Sequence, residues 1–199
     1  MVKVLERLGF EVTLIEPRTE NTGPLKDHLR ALATGTLHAF TTWKQDAGVP
    51  EVAVGVYTIW RRVDGGSVAA GTGPEKLVYV GYAGRGLVVE RITTKGGAGA
   101  HRKGLWDRLQ AHARGRRSGD QFAVYVADRW VLPTLNQVEI AAVAEGRDLI
   151  DPLVRKYITH HLGFRWVETR DAAAARKIEM LIRRGLWDHG KPLLNPVER

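Results

Sequence analysis

Residues 52–60, VAVGVYTIW, and residues 76–84, KLVYVGYAG, are the two stretches that decide the fold of this chain. Both are rich in β-branched and aromatic side chains, a composition that favours β-strands. We expect strands at 52–60 and 77–82 that pair as an antiparallel hairpin. A glycine-rich connection, VDGGSVAAGTGPEK, joins them, and its length and composition are typical of a surface loop.

The segment GLWDRLQAHARG, residues 104–115, has the hydrophobic spacing of a helix. Leu105 and Leu109 belong to its apolar face. Arg108 and His112 are four positions apart, so their side chains are expected to lie one above the other on one face of this helix.

The rest of the chain adds further strands and helices. A helix is expected to begin near Gly23, a third strand at 121–129, QFAVYVADR, and a fourth at 164–168, FRWVE. Two more helices are expected, one with Asp151 as its N-cap residue and one that Thr169 caps. Together these elements predict an α/β (α+β) fold in which a small antiparallel β-sheet is flanked by helices.

The bulk composition restricts the class of protein. The chain has 199 residues, a net charge of +8, a pI near 10.0 and no cysteine. Disulfides and thiolate–zinc sites are therefore excluded. The positive charge favours a polyanionic partner, because neutralising phosphates releases counterions, although solvated basic faces are also common. No apolar run approaches the ~20 residues of a membrane helix. We see no signal-peptide pattern at the N-terminus, so a cytoplasmic protein is expected.

One domain is expected, because the sequence has neither internal repeats nor a clear linker. We place its core in residues 52–199. Residues 1–51 are interpreted as an N-terminal extension with a structural role, for which a dimer contact or a DNA contact is the alternative.

Five polar or glycine-containing elements follow one another in a specific order. They are the triplet Gly55-Val56-Tyr57, the triplet Tyr79-Val80-Gly81, Arg108 with His112, Glu179 within AAAARKIEMLIRRG, and Asn195 within KPLLNP. This ordered set resembles the GIY-YIG endonuclease family and covers residues 52–196. The resemblance implies a GIY-YIG nuclease-like core, here with insertions.

The chain departs from the family pattern in three respects. Valine replaces isoleucine in both triplets. Tyr57 and Tyr79 are 22 positions apart, whereas compact members of the family use a short hairpin. The segments from Gly81 to Arg108 and from Phe122 to Glu179 are also expanded. Three features are most similar to the family's type II restriction endonuclease branch: the long insertions, the Arg-x-x-x-His spacing and the N-terminal extension.

The resemblance implies a metal ligand, a phosphate-binding residue and a residue that braces the site. Glu179 would be the single protein ligand of Mg²⁺, with Mn²⁺ as the expected substitute, since one carboxylate completed by water and phosphate oxygens is typical of Mg²⁺. Arg108 would hold the scissile phosphate, and Asn195 would brace the site. Each residue has a structural alternative. Glu179 would be a solvated helix glutamate, Arg108 would form a surface ion pair with Asp107 or Asp120, and Asn195 would be a turn residue.

The resemblance also implies a general base and two residues that assist it. Tyr57 would be the general base, although a tyrosine with a pKa near 10 is a poor base at neutral pH. Its surroundings would therefore have to lower that pKa or relay its proton. His112 is expected to do this or to position the water, and Tyr79 to orient water or phosphate. As an alternative, both tyrosines are strand aromatics that fill the core.

We therefore expect a metal-dependent endonuclease that acts on double-stranded DNA, most specifically a homodimeric, sequence-specific restriction enzyme in defence against phage or foreign DNA. The alternatives are a nicking or modification-sensing GIY-YIG defence nuclease, and a non-catalytic nucleic-acid-binding module. The expected DNA contacts outside the catalytic set are Arg61, Arg62, Lys95, Arg102, Lys103, Arg114, Arg116 and Arg117.

Overall fold

The computed structural model describes residues 23–63, 74–84, 104–147 and 149–195, together with Gly66 and Val68. Within these residues the chain forms one four-stranded antiparallel sheet with helices on both sides. The mixed α+β class that the sequence predicted is confirmed. The strands, whose order in the sheet is β1-β4-β2-β3, are β1 (His38–Ala39), β2 (Gly55–Arg62), β3 (Glu75–Ala83) and β4 (Leu162–Glu168).

The described helices fall before, between and after these strands. The fourth helix continues into a π-helical turn, Ala127–Val131, and a 3₁₀ turn, Leu132–Thr134. No helix within the described ranges is long and apolar enough to cross a membrane. The helices are α1 (Gly23–Thr34), α2 (Trp43–Asp46), α3 (Leu105–Arg114), α4 (Gln121–Val126), α5 (Gln137–Ala144), α6 (Ile150–His161) and α7 (Ala172–Arg183).

The hairpin that the sequence predicted is formed by β2 and β3. Tyr57 pairs with Gly81, and Ile59 pairs with Tyr79. The register then shifts, so that Trp60 pairs with Leu77. This bulge adds a residue to β3 and redirects the side chains on either side of it.

Side chains of β2 alternate between the two faces of the sheet. Tyr57 and Ile59 belong to a core cluster that α3, α4 and α6 complete. Val56 and Trp60 belong to a second cluster, which α7 completes on the other face. The sheet is thus buried on both faces, which explains why β2 reads as an almost unbroken apolar run rather than as an alternating one.

Glycine is required at the start of β2. A Cβ atom at position 55 would overlap the carbonyl oxygen of Val167 on β4 and would lie 2.7 Å from the Cδ1 atom of Leu105. The absence of a side chain at Gly55 therefore lets the first turn of α3 pack against the end of the hairpin. The contact lies at the start of the helix that carries Arg108 and His112.

The third strand predicted at 121–129 is wrong, because these residues form α4 and the π-helical turn. The buried side chains of this segment are Phe122, Ala123, Val126 and Ala127. They recur at a helical spacing, since residues four apart share a face. Asp120 caps the helix by accepting a hydrogen bond from the Phe122 N–H at 3.1 Å. Tertiary packing thus overrides the β-propensity of the valines.

Two predicted helix caps are also corrected. The N-cap residue of α6 is Leu149 rather than Asp151, which lies in the first turn. The N-cap residue of α7 is Asp171 rather than Thr169, because the Asp171 carboxylate accepts from the Ala174 N–H at 2.8 Å. Thr169 instead hydrogen-bonds to the end of the loop before β2.

The described part of the N-terminal segment belongs to the same sheet and core. Strand β1 pairs with β4, and Leu32 of α1 is fully buried. The Thr58 hydroxyl donates to the Leu32 carbonyl at 3.0 Å, and Arg165 of β4 donates to the Gly35 carbonyl at 2.7 Å. The domain boundary between residues 51 and 52 stays a prediction.

Candidate active site

Tyr57 and His112 are joined by a short side-chain hydrogen bond. The Tyr57 hydroxyl oxygen lies 2.7 Å from Nε2 of His112. Both side chains are buried, with 2% and 3% of their residues' surface exposed. Strand β2 presents Tyr57 to the helical layer, and His112 reaches it from the last turn of α3. The pair is therefore shielded from bulk water, which strengthens its electrostatic interactions.

Asp120 extends this pair into a chain of three residues. One carboxylate oxygen of Asp120 lies 2.8 Å from Nδ1 of His112. The other oxygen caps α4. The sequence suggested Asp120 only as a surface partner of Arg108. Here it engages the imidazole from the turn that separates α3 from α4.

Tyr79 completes an aromatic cluster around this chain. Its ring centroid lies 6.4 Å from that of Tyr57 and 5.8 Å from that of His112. Phe122 of α4 packs against both Tyr79 and His112, with centroids 5.0 and 4.7 Å away. The two motif tyrosines therefore line one site, and both also fill the core beside α4.

The surroundings of both tyrosines favour the neutral phenol. Burial is the largest cause for Tyr57 and raises its pKa well above the usual value, with Tyr79, Asp120 and Glu179 adding to the rise and Arg108 opposing it. Burial likewise raises the pKa of Tyr79 to about 12. A tyrosine can act as a base either through a lowered pKa or through a proton relay. Because the pKa of both tyrosines is raised, their surroundings favour the relay.

Arg108 and Glu179 approach the tyrosines from different helices. The charge of each acts on the pKa of both Tyr57 and Tyr79. Arg108 lies on α3 and is exposed, whereas Glu179 lies on α7 with 7% of its surface exposed. Helix α7 packs against the opposite face of the sheet from α3. The site thus combines groups from both helical layers.

Glu179 fits a magnesium ion that takes most of its ligands from elsewhere. Its Oε1 atom lies 3.3 Å from Nη1 of Arg183, one helical turn away. No group of three or more histidine or carboxylate side chains suited to a metal occurs among the described residues. A closed metal cage is therefore not formed there. A single, largely buried carboxylate is compatible with Mg²⁺, which retains waters and binds substrate phosphate oxygens.

Asn195 binds the backbone of the strand that carries Tyr79. Its Oδ1 atom accepts from the Val80 N–H at 2.7 Å, and its Nδ2 atom donates to the Val80 carbonyl at 2.8 Å. The Leu194 N–H donates to the Val78 carbonyl at 2.8 Å. The C-terminal segment therefore covers the outer edge of β3 and satisfies backbone groups that an edge strand leaves open.

The predicted DNA contacts are distributed over several surfaces. Lys95, Arg102 and Lys103 lie outside the described residues. The guanidinium of Arg61 lies 5.4 Å from the Trp130 ring centroid, and Arg62 is half-buried.

Three arginines after His112 differ in their surroundings. Arg117 pairs with Asp151 at 2.8 Å. Arg114 and Arg116 are exposed and line a groove of about 390 Å³ between α2, α3 and α6. Lys44 and Arg155 line the same groove, which has no carboxylate among its lining residues. We call this surface the basic groove.

The sequence analysis did not identify four of these residues: Asp120 and Arg183 in the candidate active site, and Lys44 and Arg155 in the basic groove. Two of them had a readable signal. Asp120 follows the Gly119 turn as a helix-cap residue only eight positions after His112, and Arg183 lies four positions after Glu179 on the same helix. Lys44 and Arg155 come from distant segments, so only the packed fold brings them together.

Comparison with protein-family models found no match, and comparison with curated proteins and with solved structures found no significant match. The resemblance to the GIY-YIG family therefore depends on the motif residues of the sequence.

Proposed function

We propose that this protein is a Mg²⁺-dependent DNA endonuclease of the GIY-YIG type, which hydrolyses phosphodiester bonds. The observation that carries the proposal is the hydrogen-bond chain from Tyr57 through His112 to Asp120, with distances of 2.7 and 2.8 Å, in which the first bond is buried and the second is partly buried. A phenol held in this way can exchange a proton with a reactant. The charges of Arg108 and Glu179 act on the same phenol and supply electrostatic stabilisation and a metal ligand.

In this proposal Tyr57 acts as a base by relay and not as a free phenolate. Because its raised pKa keeps the phenol neutral, its oxygen accepts a proton from the attacking water only as its own proton moves to Nε2 of His112. The water oxygen forms a bond to phosphorus, and the bond from phosphorus to the leaving oxygen breaks. His112 then carries the positive charge, next to the Asp120 carboxylate.

Arg108 binds the phosphate. Its guanidinium is exposed on α3, and an arginine can hold two phosphate oxygens through parallel hydrogen bonds. The same charge stabilises the additional negative charge of the transition state. The Tyr79 hydroxyl remains neutral at physiological pH, because its pKa is about 12, and it serves as a hydrogen-bond donor that orients the water or the phosphate.

Glu179 would hold Mg²⁺, with water and phosphate oxygens as the remaining ligands. When bound, the ion would neutralise phosphate charge and lower the pKa of a coordinated water. Mn²⁺ is expected to substitute. Arg183 keeps the largely buried carboxylate paired, which avoids the cost of an isolated buried charge.

The basic groove is proposed to contact the DNA backbone away from the scissile phosphate. Gln110 lines the groove and lies about 200° around α3 from Arg108, since successive residues are ~100° apart. The groove therefore opens on the other side of the helix from Arg108 and His112. Its four cations, Lys44, Arg114, Arg116 and Arg155, would neutralise phosphates and release counterions.

Sequence-specific restriction by a homodimer is the most specific form of the proposal. Each chain offers one candidate site, so a symmetric dimer would place two sites on the two strands of a palindrome. Sedimentation with and without duplex DNA tests this form. A chain that stays monomeric on its cleaved duplex would favour the nicking alternative.

Plasmid cleavage tests the activity itself. Supercoiled plasmid is incubated with the wild type and with Glu179→Gln, with Mg²⁺ or with a chelator, and the cut ends are sequenced. We expect metal-dependent cleavage by the wild type and a loss of more than about 10²-fold in the variant, because a metal ion contributes several kcal/mol to such reactions. Glu145→Gln is the matched control, because Glu145 is exposed and pairs with the nearby Arg147.

Two outcomes would contradict the proposal. If the wild type binds plasmid but cuts no DNA under any divalent ion, the protein is a non-catalytic nucleic-acid-binding module. If Glu179→Gln cleaves as fast as the wild type, Glu179 is not the metal ligand.

A further inference from the structure

Asp120 presents its two carboxylate oxygens to two different partners. Oδ1 accepts from the Phe122 N–H at 3.1 Å, as the cap of α4. Oδ2 lies 2.8 Å from Nδ1 of His112. The cap therefore fixes the orientation of the carboxylate that the imidazole meets, and the side chain of Asp120 is itself mostly shielded, with 11% of it exposed.

This arrangement decides which nitrogen of His112 carries the proton. An ionised carboxylate only accepts hydrogen bonds, so Nδ1 must be the donor. In a neutral imidazole Nε2 is then the acceptor, and the Tyr57 hydroxyl at 2.7 Å must donate to it. We propose that Asp120 is a positioning residue that holds His112 in the Nδ1–H tautomer and so makes Nε2 the acceptor of the Tyr57 proton.

The catalytic consequence rests on the proposed function. As water loses a proton to the Tyr57 oxygen, the Tyr57 proton passes to Nε2, and the imidazolium gains an ion pair with Asp120. With the other tautomer Nε2 already carries a proton. It cannot accept a second one without first losing it, and the relay stops at Tyr57.

Asp120→Asn is the sharpest variant, because the side chain keeps its shape while one oxygen becomes an NH₂ group. The Phe122 N–H still requires an acceptor, so the amide oxygen takes the Oδ1 position. The NH₂ group then faces Nδ1 of His112. Since NH₂ only donates, Nδ1 becomes the acceptor and the proton moves to Nε2. The variant is therefore expected to reverse the tautomer while retaining the helix cap.

Asp120→Ser separates the cap from the contact with His112. Serine is a good N-cap residue, but its short side chain does not reach the imidazole. We expect α4 to remain folded and the preference for the Nδ1–H tautomer to be lost. The two variants together distinguish a role in folding from a role in setting the tautomer.

Nitrogen-15 NMR of the histidine rings measures the tautomer directly and needs no substrate. Two-bond proton–nitrogen correlations are recorded for the wild type and both variants over a pH series that reaches the neutral imidazole. The His112 signals are identified by their absence in His112→Gln. We expect Nδ1–H in the wild type and Nε2–H in Asp120→Asn. An Nε2–H tautomer in the wild type, or an unchanged tautomer in Asp120→Asn, would overturn the proposal.

Cleavage kinetics then test the catalytic consequence. We expect kcat of Asp120→Asn to fall by between about 10² and 10⁴-fold, as for loss of general acid–base catalysis, with KM little changed. A reversed tautomer with undiminished kcat would overturn the catalytic part. A wild type with the Nδ1–H tautomer but no cleavage of any DNA would support the positioning role and refute the proposed function, so the two failures are distinguishable.

Discussion

Tyr57 and Gly81 face each other across the β2–β3 hairpin, and the phenol of Tyr57 occupies the space that a side chain at position 81 would need. A Cβ atom there would overlap the Tyr57 hydroxyl oxygen and would lie 2.5 Å from its Cζ atom. The glycine of the second triplet therefore makes room for the tyrosine of the first. This steric relationship explains why a tyrosine in the first triplet requires a glycine in the second.

Gly81→Ala is expected to displace the Tyr57 ring and to break its hydrogen bond with His112. Because misplacement of a reacting group by about 1 Å can cost roughly 10²-fold in rate, we expect cleavage to fall by about that factor. Initial rates of plasmid cleavage measure the loss of activity, and the midpoint of denaturant unfolding measures any loss of stability.

Gly48→Ala is the control for the loss of a glycine. Gly48 has a positive φ of 59°, and nothing lies within 4 Å of its expected Cβ position. The substitution therefore strains the backbone without touching Tyr57. Gly81→Ala with a full rate of cleavage would contradict the steric argument.

Alkaline pH is expected to destabilise the fold through Tyr79. Its pKa is raised to about 12 in the folded protein, against a value near 10 in an unfolded chain. Between these values the unfolded state loses a proton that the folded state retains, so the free energy of unfolding falls as pH rises. Below about pH 10 this contribution is fully present.

Denaturant unfolding at a series of pH values measures this effect. We expect the fall in stability above about pH 10 to be shallower in Tyr79→Phe, which lacks the titrating group, while Tyr57 continues to contribute in the same direction. Tyr82→Phe is the control, because that tyrosine lies on the same strand and is only half-buried. An equal slope for the wild type and Tyr79→Phe would show that Tyr79 titrates normally.

The hairpin and α3 could be predicted from the sequence because their signals are local. Tyr57 and Tyr79 lie in two separate runs of β-branched and aromatic residues, and the apolar spacing of Leu105 and Leu109 indicates a helix. The same local rules failed at 121–129, where valine and tyrosine favoured a strand. There the burial of one side of α4 against the core decides the structure, and propensity alone contains no information about that contact.

The chemistry of the site could be predicted only in part, for a related reason. Motif spacing named Tyr57 and His112, but the bond between them spans 55 positions of sequence. The effect of burial on the pKa of Tyr57 depends on the packed core around it. The turn position of Asp120 indicates a helix cap, but its contact with His112 depends on how the turn between α3 and α4 packs.

The basic groove is expected to contribute to DNA affinity and to its dependence on salt. Lys44→Ala combined with Arg116→Ala should lower the slope of log Kd against log salt by about one for each phosphate contact removed. Fluorescence anisotropy with a labelled duplex, in a chelator that prevents cleavage, measures Kd at several salt concentrations.

Arg117→Ala is the matched comparison for the groove. Arg117 follows Arg116 directly, but its charge is paired with Asp151 at 2.8 Å, so we expect a smaller change in slope. Arg147→Ala, which removes an exposed cation paired with Glu145, should leave the slope unchanged. If the groove variant has the slope of the wild type, the DNA does not reach this surface.

Asn195 is expected to hold the C-terminal segment against the edge of β3 and thereby to support Tyr79. Its amide makes two hydrogen bonds with the backbone of Val80, and Val80 is fully buried. Asn195→Ala leaves both backbone groups without these partners, which costs about 1–3 kcal/mol for each group left unsatisfied. Denaturant unfolding should detect the loss of stability.

Hydrogen exchange resolves which of the two bonds matters. Asn195→Asp keeps an oxygen that accepts from the Val80 N–H but loses the donor to the Val80 carbonyl. We therefore expect the Val80 amide to exchange rapidly in Asn195→Ala and to remain protected in Asn195→Asp. Cleavage should fall in both variants, and more in the alanine variant, because Tyr79 precedes Val80 on the strand that the segment supports. Protection of Val80 that persists in Asn195→Ala would mean that the remaining contacts, such as the Leu194 N–H to the Val78 carbonyl at 2.8 Å, suffice to hold this edge.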